Sequence, residues 1–291
     1  MTTTQERPPA DLAPPLETPE AAAVPATTAP PNRSPLRVAR RLLPAVPILA
    51  ALAAWHLLTQ YDVVAWLRFD KLPGPMEVGA SIRLQLESPV FYQHVVSSLG
   101  RILTGFAIAG VIGVLIGIAI GRSRTTASLV RPLIEVARPI PAIALVPIAI
   151  LLFPTSEQGI VFITAFAAFF PITVATIHAM KTLPPVWTDA ARTLGANRWQ
   201  VLVHVVFPGA MPSIFSGLSV SMGVAWICVI SAEMISGQFG VGYWTWMSYS
   251  LLDYAGVVTG MLTIGLLGFT TSWAIERVGR RVNRWLPGEG S

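Results

Sequence analysis

Between two long apolar runs, residues Trp187 to Pro212 read W-T-D-A-A-R-T-L-G-A-N-R-W-Q-V-L-V-H-V-V-F-P-G-A-M-P. Asp189, Arg192, Asn197, Arg198, Gln200 and His204 fall within it, in a chain of which only 12% is charged. The order of residues predicts about two turns of helix, a break at Gly195, and further helix before Pro208. Apolar helices are usually joined by a few residues, so a connection this long and this structured is expected to be a handle that something else grips.

The rest of the chain explains what the handle is attached to. The 291 residues are 53% hydrophobic, with a mean hydropathy of +0.61. A soluble domain carries about twice this fraction of charge. Several apolar runs reach the roughly 20 residues a bilayer-spanning helix needs. A transmembrane barrel would instead alternate apolar and polar residues in segments of about ten. The class is an all-α polytopic membrane protein. The net charge of +5 suits basic residues placed at membrane borders, which fix topology, rather than nucleic-acid binding. One cysteine, Cys228, excludes a disulfide framework and a multi-cysteine metal site. His56, His94, His178 and His204 show no ligand spacing, and no cofactor is expected.

Residues 1–35 are rich in Pro, Ala and Thr and read as a disordered cytoplasmic tail rather than a secretory signal. Arg33, Arg37, Arg40 and Arg41 then hold the start of the first span, within 36–60, on the inside. Residues 61–94 form an extracytoplasmic, partly amphipathic connector containing L-P-G-P at Leu72 to Pro75. The core, 95–285, holds five more spans, with the polar connection at 182–208 and a tail at 286–291. The second span, Val95 to Ile120, carries Gly105, Gly110, Gly113, Gly117 and Gly121, a stripe that lets helix backbones approach. The third, Ser128 to Phe153, carries Arg131, Glu135 and Arg138 and then Pro139, Pro141 and Pro147. Such a helix is bent, and broken backbone at membrane depth is tolerated where it packs on protein or lines an aqueous cavity. Spans four to six run Gly159 to Met180, Ala210 to Ile235 and Ala255 to Ile275, with Trp244, Trp246 and Tyr249 suited to the outer interface. Arg and Lys cluster where six spans with both termini in the cytoplasm would place them, and the handle is then cytoplasmic too.

Asp189-Ala190-Ala191, then Gly195, then Val205-Val206-Phe207-Pro208 resembles the E-A-A loop of the permease subunits of bacterial ABC importers. The family's spacing, E-A-A, three residues, Gly, nine residues and I-x-L-P, is matched throughout, with Asp for Glu, Val for Ile and Phe for Leu. S-S-L-G-R-I-L-T-G-F (Ser97 to Phe106), R-P-I-P-A-I-A-L-V-P-I-A-I-L (Arg138 to Leu151) and A-E-M-I (Ala232 to Ile235) resemble the nitrate/sulfonate/taurine branch. The resemblance implies a type I importer fold in the bacterial inner membrane. It also implies two permease copies forming the pathway, a separate ATP-binding cassette ATPase, and an extracytoplasmic solute-binding protein. Asp189, Ala190, Ala191, Arg192, Gly195, Ala196, Arg198 and Pro208 are then the coupling residues. Small residues at Ala190 and Ala191 seat a helix deeply in a partner, Gly195 supplies the turn, and Asp189 near a helix start suits the dipole and a basic partner. The alternative is an amphipathic connector resting on headgroups through Arg192, Arg198 and Trp199.

Glu135, Arg138, Pro139, Pro141, Ser221 and Glu233 are candidates for the pathway. Arg138 is read either as a fork for an anionic solute or as an internal pair with Glu135 or a helix-end arginine reaching the interface, and the latter two together are preferred. Glu233 either meets a binding protein, gates the pathway or caps local polar groups, the last being preferred. Ser219, Ser221 and Ser231 line the path or serve as interhelical glue. No G-x-x-x-x-G-K-[ST] loop is present, so the chain is not expected to bind ATP; the resemblance implies that a separate subunit hydrolyses it and that the chain is not itself an enzyme. The rival function is a stand-alone secondary transporter or channel, which would need inward-facing ionisable groups for a coupling ion. A membrane-embedded enzyme is disfavoured by the lack of a paired acid and base.

Overall fold

The computed structural model describes residues 45–61 and 71–284, so the expectations for 1–35, the arginines from Arg33 to Arg41 and the tail 286–291 lie outside the described residues. All regular structure among the described residues is helical. The chain divides at Ala51 into two units, and the bundle lies wholly in the second.

Helix α1 covers Ala45–Gln60, and Gly74 starts the short α2, Pro75–Leu86, by donating its N–H to Glu77 at 3.2 Å. Proline is tolerated at the first turn of a helix, and Pro89 opens α3, which runs unbroken to Arg122. Ser123 ends α3 and caps the next helix, α4, Arg124–Ala137, accepting from the Thr126 N–H at 3.2 Å. A 3-10 turn, Ala142–Leu145, leads into α5, Val146–Leu152. Thr155 caps α6, Ser156–Thr182. The polar connection then forms α7, Pro185–Thr193, and α8, Arg198–Val201. A wide π-turn at Leu202–Val206 continues directly into α9, Phe207–Ser236. Helix α10, Val241–Ser250, and α11, Tyr254–Val282, complete the order.

Helices α3, α6 and α9 form the centre, where Ile102, Ile160, Ile163, Met222 and Val229 are buried. The glycine stripe builds the α3–α6 seam. A Cβ on Gly105 would sit 2.8 Å from that of Thr164, and one on Gly117 would sit 2.5 Å from that of Thr176. Gly110 lies off the seam, its nearest neighbour being Leu218 at 3.8 Å. Gly117→Leu is therefore expected to cost roughly 1–3 kcal/mol by overpacking. Membrane yield and thermal midpoint should fall well below those of Gly110→Leu.

Among the described residues, four stretches are long and apolar enough to cross a membrane: α3, α6, the joined α8–α9 rod of 39 residues, and α11. The third expected span is not one helix. Helices α4 and α5 meet at a bend of 81°, giving up to five spans if that bent pair counts as one. The cause is local: Pro139 and Pro141 have no N–H to give the carbonyls of Glu135 and Ala137, so the helix cannot continue through them. The first expected span falls on α1, whose 16 described residues are short of a full crossing.

Candidate functional site

The polar connection folds into a rigid knuckle. Helix α7 ends in paired turns: the Ala196 N–H donates to the Ala191 carbonyl at 3.0 Å and the Gly195 N–H to that of Arg192 at 2.9 Å. That double bond pattern requires a left-handed residue between helix and exit, and Gly195 supplies it with φ +84°. Asn197 and Gln200 then bond reciprocally, side chain to backbone, both at 2.8 Å, starting α8. Pro208 does not stop the helix that follows. It has no N–H to offer the His204 carbonyl, and the turn before it widens so that the Phe207 N–H reaches back to Leu202.

Beneath the knuckle, Ala191 and Ala196 are half-buried against Ala179, Met180, Val201, Val206, Ala210 and Ile214. Gly209 leaves room for Leu183 and Trp187, since a Cβ there would meet their side chains at 2.7 and 3.1 Å. The outer side carries Asp189, Ala190, Arg192 and Arg198, all exposed, with Leu194 89% and Trp199 69% exposed. Asp189 lies in the second turn of α7 rather than near its start, because Pro184 and Pro185 begin the helix earlier. The dipole therefore does little for it, and its partner is Arg192 at 3.4 Å.

The break between α4 and α5 opens a cleft of about 840 Å³ against α6 and α9. Arg138 and Pro141 line it, together with His178, Ser213 and Ser216. The pair of Arg138 with Glu135 does not form, and Arg138 stands exposed at the end of α4. Glu135 instead pairs with Arg131, one helical turn back, at 2.7 Å. Pro139 lies in the bend but outside the cleft wall. Ser221 is fully buried and donates to the Leu218 carbonyl at 2.9 Å. Ser213 and Ser216 were missed in the sequence, although 213, 216, 220, 224 and 227 recur at the spacing of one helix face.

At the opposite end of α9, Glu233 is completely buried. It accepts from Ser98 Oγ at 2.7 Å, Arg101 Nη1 at 2.9 Å and the Gly242 N–H at 2.9 Å. Arg101 also forks onto Glu157, with Nε to Oε2 at 2.5 Å and Nη2 to Oε1 at 2.8 Å, and bonds the Phe239 carbonyl. The Gly240 N–H donates to His94 Nδ1 and the Val241 N–H to Ser98 Oγ, both at 2.9 Å. This clamp ties α3, α6 and α9 to the loop before α10, and Glu233 caps local polar groups within it.

Residues 109–284 match the model of the binding-protein-dependent transport system inner membrane component. The chain belongs to this family of ABC transporter permeases. The permease is 31% identical over 238 residues to the taurine transport system permease protein of Escherichia coli, covering 79% of this chain and 86% of that one. It is 29% identical over 258 residues to the bicarbonate transport system permease protein of Synechococcus elongatus, covering 84% and 89%. In fold, the permease matches a chain of the methionine ABC transporter in an inward-facing form, with a TM-score of 0.57 at 20% identity over 66% of this chain and 96% of that one. It is thus a multi-pass inner-membrane protein of the nitrate/sulfonate/taurine branch. The relatives named here are permease proteins of transport systems.

Proposed function

We propose that this permease, as a homodimer of type I importer architecture, forms the pathway for a small anionic solute of the nitrate, sulfonate or taurine kind. A solute-binding protein delivers the solute from outside. An ATP-binding cassette ATPase drives transport through the knuckle from Asp189 to Pro208. Six spans with both ends in the cytoplasm put the knuckle on the ATPase side. The cleft at the α4–α5 break, with Arg138 and Pro141 in its wall, is part of the pathway.

The observation that carries this reading is the build of the knuckle. It is pinned underneath by Leu183, Trp187, Ala191 and Ala196, yet presents Leu194, Trp199, Asp189 and Arg198 outward. A connector resting on headgroups would bury such apolar side chains in lipid without needing a fixed turn. A rigid projection with a mixed apolar and charged tip suits a protein groove. The test is Arg192→Cys and Arg198→Cys in inverted and right-side-out vesicles, with cross-linking to the co-expressed ATPase. Both sites should label from the cytoplasmic side and cross-link to the ATPase. Labelling only from outside would overturn the reading. Asp189→Lys should lower ATP-driven uptake by about tenfold, the size of one misplaced charge contact at an interface, while membrane yield stays unchanged.

A further inference from the structure

We infer that the cleft beside the broken helix is an oxyanion-binding site within the membrane, with Arg138 as its charge and His178, Ser213 and Ser216 as its hydrogen-bonding groups. This assignment rests on the transport reading above and gives it a location.

The charge in the wall is one-sided. Among the described residues, Arg138 is the only Lys, Arg, Asp or Glu that lines it, and none of the lining side chains is a carboxylate. Glu135 is held by Arg131 at 2.7 Å, and Arg138 makes no ion pair among the described residues. The backbone of Arg138 is nevertheless fixed, as it ends α4 by donating to the Ile134 carbonyl at 2.8 Å. A guanidinium on an anchored backbone, without a carboxylate partner among the described residues, presents its fork of N–H donors to whatever enters.

The hydroxyls support the same conclusion. On α9, Ser221 and Ser231 donate to backbone carbonyls of their own helix, and Ser219 reaches Glu276. Ser213 and Ser216 differ: neither hydroxyl has a partner among the described residues, and both line the cleft. They stand one turn apart on α9, with His178 presented from α6. Apolar side chains such as Phe166, Phe170, Val220 and Ile227 make up much of the remaining wall. Few convergent polar groups in an apolar cleft of a few hundred to a thousand Å³ is the usual form of a small-ligand site. A cation would find no counter-charge here, whereas a nitrate, carboxylate or sulfonate group would find one fork and several neutral donors.

The test uses the full permease–ATPase complex in proteoliposomes, with Ile227→Cys in a Cys228→Ser background as the reporter on the cleft wall. An anionic sulfonatoethyl thiosulfonate should modify it about tenfold faster than the cationic trimethylammonioethyl reagent, after correction for their rates with free thiol. Millimolar nitrate, bicarbonate or taurine, tried separately, should slow the reaction for the solute whose oxyanion group the cleft accepts. Arg138→Gln should abolish the preference and the protection, and Arg138→Lys should keep most of the preference but lose most of the protection. An equal or faster cationic rate, or a ratio unmoved by Arg138→Gln, would overturn the assignment. If the permease failed to purify with the ATPase, the transport reading would fail, and the labelling ratio in the permease alone would still decide the cleft. If the complex transported but the ratio ignored Arg138, only the cleft would be wrong.

Discussion

Arg101→Met should destabilise the permease by about 3–5 kcal/mol, because it strands the fully buried Glu233 without its counter-charge. For a body of this size that corresponds to a fall of roughly 6–20 °C in the thermal midpoint. Glu233→Gln alone should be milder. Arg101 keeps its fork onto Glu157, and the glutamine oxygen still accepts from Gly242. The double variant, Arg101→Met with Glu233→Gln, should recover a large part of the loss, since no unpaired buried charge remains. Thermal unfolding of the four proteins in one detergent gives the coupling directly. A single Arg101→Met protein melting within about 2 °C of the parent would show that the clamp contributes little.

Gly195→Val should lower ATP-driven uptake by at least about tenfold while the permease still inserts and folds. A β-branched residue in the left-handed region costs on the order of 1–2 kcal/mol or more. The turn escapes that strain by giving up the Ala196 and Gly195 bonds. The helices α3, α6 and α9 do not depend on this turn, so the melting of the membrane body should change little. What changes is the angle between α7 and α8 and hence the fit of Leu194 and Arg198 to the ATPase. Gly195→Asn tolerates the same backbone region and should retain most of the uptake. Uptake by Gly195→Val equal to that of the parent would remove the knuckle from the coupling route.

The knuckle was legible because every signal in it is local. Gly195 announces the turn between two helices, and the spacing from Asp189 to Pro208 fixes the register. The break in the third span was legible from its prolines, but not its angle, which depends on how α5 packs against α6. That Pro208 leaves the rod unbroken was not visible, since a π-turn is an accommodation made by the folded backbone. The clamp was the main loss. Its members lie far apart in the chain, with Ser98 and Glu233 separated by 135 positions and His94 and Gly240 by 146. One signal was present: Arg101 stands inside an apolar run, where an arginine without a partner would be costly. Glu157, in the first turn of α6, is half of its answer.

The wide turn at Leu202–Val206 has a geometric consequence. It holds one residue more than an ordinary turn would, and each residue of a helix advances the azimuth by about 100°. Removing or adding a single position there would swing Arg198, Trp199 and the whole of α7 around the axis of α9 without altering one of them. The compass bearing at which the projection points is thus written in five residues that never reach its tip.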